Sequence, residues 1–85
     1  MTINMDDAHE AEAEALEVVG GAWAQVLRVP SVDPDVEFPD FGADSMALME
    51  VLGMLRERWP RLRVVDLFEH PTPAGLAAFV AAMEA

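Results

Sequence analysis

The sequence predicts a small all-α protein, a four-helix bundle with three main helices, one short helix and a long structured loop between the first two. Apolar residues recur at helical spacing in three separate segments. No segment shows the strict apolar–polar alternation that is typical of a strand. The length of 85 residues fits one small domain, which we expect to cover residues 6–85 after a flexible N-terminus of residues 1–5.

The first helix is expected from about Asp6 to Leu27. Acidic residues crowd its start, where the helix dipole favours negative charge. The pair Gly20-Gly21 costs roughly 1 kcal/mol per glycine relative to alanine, which favours a bend there. The helix is nevertheless expected to continue, because its apolar face stays in phase past the pair: Leu16, Val19, Trp23, Val26 and Leu27.

Residues 30–43 should form the long loop, because three prolines and one glycine exclude a regular helix. Four apolar side chains lie within it: Val32, Val36, Phe38 and Phe41. Exposing them would forfeit several kcal/mol of burial, so the loop is expected to pack on the core. Long ordered loops in compact domains tend to be functional.

The second helix is expected from Ser45 to about Arg58, before Pro60, with Asp44 as its N-cap. Its predicted core stripe contains five residues: Leu48, Val51, Leu52, Leu55 and Trp59.

The third helix is short, over residues 64–68, and the fourth starts at Pro73 with Thr72 as its N-cap. Four residues of the fourth helix should face inward: Leu76, Phe79, Val80 and Met83.

The composition excludes several classes of function. The formal net charge of −11 repels nucleic acid and anionic lipid, so neither is an expected partner. The chain has no cysteine, and its two histidines, His9 and His70, lack ligand-like spacing, so no metal site is expected. The acidic N-terminus and the absence of an apolar run of about 18 residues predict a soluble cytoplasmic protein.

Ser45 is the residue that needs an explanation. No histidine or lysine lies near it in sequence to activate the hydroxyl, so we expect no catalytic residues and no enzyme activity. By position alone, Ser45 is an ordinary helix-start residue. The start of a helix also has unsatisfied amides that favour an attached anion, so a phosphate on its Oγ would be stabilised there.

Two blocks of sequence resemble the signatures of phosphopantetheine-dependent carrier proteins. In "FPDFGADSMALMEVL", at 38–52, an aromatic residue, a spaced apolar residue and Gly-x-Asp-Ser precede a helix. In "LRVVDLFEHPTPAGLAAFV", at 62–80, a short helix and Phe-Glu-x-Pro-Thr precede another. The order and separation of the blocks match the family, and the resemblance covers roughly residues 14–83.

The resemblance implies that Ser45 is the attachment site of 4′-phosphopantetheine, transferred from coenzyme A by a phosphopantetheinyl transferase. Gly42 and Asp44 would shape the turn that exposes it. The outward side of the second helix would then bind partner enzymes, through an adaptable apolar surface bordered by acids. That side contains Met46, Ala47, Glu50, Met54 and Glu57.

Four residues depart from the pattern of fatty-acid carriers: Phe41, Met46, Ala47 and Arg56. Together with the "FEHPT" block they favour a carrier, peptidyl or acyl, of nonribosomal peptide or polyketide biosynthesis, whereas Ala43 and Asp44 point partly toward acyl carriers. The opening methionine suggests a free-standing protein, and a monomer is expected because nothing in the sequence demands a dimer. Such a carrier holds its cargo as a thioester, accepts it from an adenylating or acyl-transferring enzyme and presents it to condensing or tailoring enzymes. A fatty-acid-type acyl carrier, a carrier-like fold never modified at its serine, and an unmodified acidic helical interaction module remain as alternatives.

Overall fold

Helices account for most of the chain in the computed structural model, which describes residues 5–84, with side chains from Glu10 onward. Apart from Met5, the expected flexible N-terminus lies outside the described residues. No strand occurs between residues 5 and 84, and the predicted all-α fold is confirmed. The elements are α1 Met5–Leu27, a 3₁₀ turn Phe38–Phe41, α2 Ser45–Arg56, α3 Val64–Glu69 and α4 Pro73–Glu84.

The helix boundaries agree closely with the sequence prediction. α1 runs without interruption through Gly20-Gly21. α2 ends at Arg56, two residues earlier than Arg58, because the backbone tightens there: the amides of Glu57 and Arg58 donate to carbonyls three residues back, those of Met54 at 3.3 Å and Leu55 at 3.1 Å. The helix therefore ends before Pro60, and a proline disfavours helical backbone in the residue that precedes it.

The core forms where α1 packs against both α4 and α2, while α3 packs against α2. Trp23 of α1 is 2% exposed. All five residues of the predicted α2 stripe are buried, including Trp59 beyond the end of the helix. Of the four residues predicted to face inward from α4, Leu76 and Val80 are buried, while Phe79 and Met83 are half-buried against the core.

The loop between α1 and α2 is attached to the core by aromatic stacking. Phe38 lies nearly parallel to Trp23, with ring centroids 5.5 Å apart and planes 9° apart. Phe41 lies tilted against the same indole at 6.1 Å. Val32 also packs against the core, and Val36 is half-buried. The predicted packing of the loop is confirmed, and the 3₁₀ turn within it was not predicted.

Backbone hydrogen bonds fasten the same loop to the segment that leads into α4. The amide of Phe38 donates to the carbonyl of Pro71, and the amide of Ala74 donates to the carbonyl of Pro34, both at 2.9 Å. The amide of Gly75 donates to Thr72 Oγ1 at 3.0 Å, as expected for an N-cap threonine before α4. Aromatic stacking and backbone hydrogen bonds therefore both fix the position of the loop and of the residues that follow it.

Candidate functional site

Gly42 closes the 3₁₀ turn and redirects the chain toward α2. Its φ of 79° lies in the left-handed region, and its amide donates to the carbonyl of Pro39 at 3.1 Å. A Cβ at this position would meet no atom within 4 Å, so the backbone conformation, not lack of space, favours glycine.

Asp44 begins α2 as its N-cap, as predicted. Its backbone is extended, and its Oδ1 accepts a hydrogen bond from the amide of Ala47 at 2.8 Å. Its carbonyl accepts from the amide of Leu48 at 3.0 Å. These two bonds satisfy the third and fourth amides of the helix.

Ser45 is the first residue of α2 and is exposed. No acceptor among the described residues is bonded to the amides of Ser45 and Met46, which lie at the positive end of the helix dipole. Within the same part of the chain, no side chain hydrogen-bonds to Ser45 Oγ. The site therefore presents a free hydroxyl beside two amides that favour a neighbouring anion.

The predicted outward side of α2 is mixed in its exposure. Met46 is 75% exposed, and Glu50 and Glu57 are exposed as well. Ala47 is half-buried, and Met54 is half-buried against the core, which leaves less of its thioether for a partner than the sequence suggested.

Exposed apolar residues that the sequence reasoning did not assign lie on α2 and α3. Met49 is 54% exposed and Phe68 is 60% exposed. The rings of Phe68 and Phe38 meet in a T-shaped contact, with centroids 5.6 Å apart. Met49 lies three residues after Met46, so helical spacing from Met46 was the available signal. For Phe68, the six residues of α3 give too short a pattern to tell one face from the other.

The remaining polar candidates have structural surroundings. His70 follows α3 and stacks on Phe79 with ring centroids 4.4 Å apart. Asp66 is 3% exposed, and its Oδ2 accepts from the amide of Arg63 at 2.9 Å, so it caps α3. No group of side chains able to hold a metal ion occurs among the described residues.

Four of the five arginines cluster between residues 56 and 63. Arg58 lies over the ring of Trp59 at 5.0 Å and forms ion pairs with Glu84 at 3.4 Å and Glu14 at 3.7 Å. Arg63 is 3.4 Å from Asp66. Two of the four arginines therefore pair with acids of the chain's own bundle.

Comparison with known proteins places this geometry in a family. The family model described as "Phosphopantetheine attachment site" matches residues 17–80, which include Ser45 and its turn. The chain is 36% identical over 78 residues to an isonitrile lipopeptide synthase of Streptomyces coeruleorubidus, and 39% identical over 59 residues to the dapdiamide synthesis protein DdaD of Enterobacter agglomerans. The alignments cover 91% and 68% of this chain but only 5% and 10% of those relatives.

A solved structure has the same fold. It is BlmI, described as a type-II acyl-carrier-protein from Streptomyces verticillus involved in bleomycin biosynthesis. Its TM-score is 0.90, and the alignment covers 96% of this chain and all of that one (100%), at 22% sequence identity. A helix with the length and apolar character needed to cross a bilayer does not occur among residues 5–84. The chain belongs to the phosphopantetheine attachment-site family, whose members carry covalently bound 4′-phosphopantetheine.

Proposed function

We propose that Ser45 carries 4′-phosphopantetheine and that the protein is a carrier in nonribosomal peptide or polyketide biosynthesis. One observation supports the attachment site above all others. Ser45 is exposed at the first residue of α2, in a turn shaped by Gly42 and Asp44, inside the segment that matches the family.

The residues around Ser45 fit a phosphodiester. The amides of Ser45 and Met46 are available as donors at the positive end of α2. The carboxylate of Asp44 is engaged with the amide of Ala47, which directs it into the helix. When bound, the arm supplies a thiol that holds an aminoacyl, peptidyl or acyl group as a thioester.

The attachment step uses the Ser45 hydroxyl as the nucleophile. Its Oγ attacks the β-phosphorus of coenzyme A, and a new O–P bond forms. The bond from that phosphorus to the bridging oxygen breaks, and adenosine 3′,5′-bisphosphate leaves. The hydroxyl proton passes to a base of a phosphopantetheinyl transferase, since no described side chain hydrogen-bonds to Ser45 Oγ.

The carrier contributes no catalytic group to the reactions of its cargo. It would take the cargo from an adenylating or acyl-transferring enzyme and pass it to condensing or tailoring enzymes. We assign the recognition surface to the outward side of α2, with the exposed Met46, Glu50 and Glu57, supported by Ala47 and by the exposed part of Met54. Flexible methionines suit successive partners, and the net charge of −11 favours docking on basic surfaces.

The assignment to nonribosomal peptide or polyketide pathways is supported by the relatives. The isonitrile lipopeptide synthase and the dapdiamide synthesis protein each contain a segment similar to this chain. The absence of cysteine agrees with the proposal that the carrier works in the cytoplasm, where thiols stay reduced.

Incubation with coenzyme A, Mg²⁺ and a promiscuous phosphopantetheinyl transferase tests the proposal. We expect intact-mass spectrometry to show the gain of one phosphopantetheinyl group. The gain should disappear in Ser45→Ala and persist in Ser31→Ala, which removes the only other serine and is the matched control. No gain, under conditions that modify an established carrier, would favour the unmodified interaction module.

A further inference from the structure

An open groove runs along the junction between the C-terminal part of α1 and the outward side of α2. Its volume is about 520 Å³, and it is lined by residues that include Gln25, Arg28, Glu50, Gly53 and Met54. A second hollow of about 310 Å³ lies beside Gly42, Asp44 and Met46. Both hollows are lined by Val26 and Glu50, so together they form one trough that begins next to Ser45.

We propose that this trough is the resting site of the pantetheine arm when the carrier is not engaged with an enzyme. This inference rests on the proposed attachment at Ser45. It assigns a role to residues of α1, which the attachment motif does not include. The arm would lie against α1 and α2, and partner enzymes would have to draw it out.

The arm is long enough to occupy the trough. Thirteen bonds separate its phosphorus from its sulfur, which corresponds to about 15 Å when extended at peptide-like spacing. Gly53 lies eight residues after Ser45 on the same helix. At 1.5 Å and 100° per residue, it is about 12 Å along the axis and about 80° around it. The thiol therefore reaches the level of Gly53 and Met54.

The lining matches the chemistry of the arm. The arm combines a gem-dimethyl group, a hydroxyl and two amides, so it needs apolar contact together with donors and acceptors. Val26 and Met54 supply apolar surface. The side chains of Gln25 and Arg28 supply donors, and the carboxylate of Glu50 accepts.

Two residues of the trough lining carry a cost in stability. Gly53 lies inside α2, where glycine is about 1 kcal/mol less favourable than alanine. An added Cβ there would meet no atom within 4 Å, so the core does not require a glycine. Arg28 directly follows α1 with a φ of 59°, a left-handed conformation in which glycine is usual and arginine is strained. Arginine at this point places a donor in the trough.

Comparison of the unmodified and modified proteins by amide NMR tests the inference. Intact-mass spectrometry first establishes whether the phosphopantetheinyl group is attached. If it does not attach, the proposed function fails, and the inference about the trough fails with it. With the group attached, we expect amide shift changes at Gln25, Val26 and Gly53, beyond the immediate neighbours of Ser45. Shift changes confined to residues 43–48 would overturn the inference.

A filled trough provides the matched variant. Gly53→Leu should abolish the shift changes in α1, whereas Gly21→Leu should keep them, because Gly21 is an exposed helix glycine outside the trough lining. The chain has no cysteine, so the arm carries the only thiol of the modified protein. If the arm rests in the trough half of the time, Gly53→Leu should react with a thiol reagent about twofold faster than wild type and Gly21→Leu. Equal rates in all three proteins would contradict the inference.

Discussion

The carboxylate of Asp44 accepts a hydrogen bond from the amide of Ala47 at 2.8 Å, and Ser45 lies between these two residues. The bond fixes the first turn of α2, so the serine hydroxyl starts from a rigid position. Gly42, two residues before Asp44, turns the chain with a positive φ, and the aromatic residues before it are packed on Trp23. Packing on the core therefore fixes the loop, and the loop and the N-cap together fix the position of Ser45.

Replacement of Asp44 tests the importance of this cap. We expect Asp44→Ala to lower the free energy of unfolding by about 1 kcal/mol, because the amide of Ala47 loses its acceptor. Asp44→Asn should retain most of the stability, since asparagine caps helices about as well as aspartate. Urea unfolding followed by circular dichroism measures both, and equal midpoints for Asp44→Ala and wild type would show that the cap does not contribute.

The stacking of Phe38 on Trp23 should account for much of the stability of the loop. Phe38 is 6% exposed, so Phe38→Ala removes a buried ring and should cost about 3–5 kcal/mol. In a domain of this size that loss leaves a large unfolded fraction. Phe68→Ala is the control, because Phe68 is 60% exposed and meets Phe38 only in a T-shaped contact. It should cost less than about 1.5 kcal/mol by thermal unfolding. Similar losses for the two variants would refute the proposed packing of the loop.

The turn after α2 is joined to the C-terminus of α4 by a hydrogen bond from Trp59 Nε1 to Glu84 Oε1 at 2.6 Å. Glu84→Ala leaves the indole N–H of a buried tryptophan without this partner and should cost about 1 kcal/mol or more. Glu84→Gln keeps an acceptor and should lose less. Glu14→Ala removes only an exposed ion pair with Arg58 and should change stability by less than about 0.5 kcal/mol. Guanidinium unfolding curves rank the three variants, and a larger loss for Glu14→Ala would contradict the assignment.

The strained backbone of Arg28 predicts a stabilising substitution. Arg28→Gly should raise the free energy of unfolding by about 1 kcal/mol, because glycine adopts the left-handed conformation without the steric penalty of a Cβ. Arg28→Ala keeps the Cβ and should gain nothing comparable. Urea midpoints of the two variants give the difference, and a gain of the same size in Arg28→Ala would assign the effect to charge instead of strain.

The helices were predictable from the sequence because each one has to bury an apolar face. Only a helix buries all four of Leu48, Val51, Leu52 and Leu55 on one face at this spacing. Asp44 marks where that helix starts. Ser45 was identified by its motif, since its position alone is that of any helix-start serine.

Features that depend on tertiary contacts were beyond sequence reasoning. The half-burial of Met54 depends on how α2 is rotated against the rest of the core. The bond between Trp59 and Glu84 joins residues 25 positions apart. The trough between α1 and α2 exists only once the helices have packed, so no local sequence pattern predicts it.

Location of the attached group by peptide mass spectrometry tests the central claim most directly. Trypsin cleaves after Arg28 and Arg56 and releases residues 29–56, which contain both serines of the chain. Fragmentation at the labile Asp33–Pro34 bond separates Ser31 from Ser45. We predict that the phosphopantetheinyl group lies entirely on the fragment with residues 34–56, at Ser45. A group on residues 29–33, or an unmodified peptide after treatment that fully modifies an established carrier, would contradict the account.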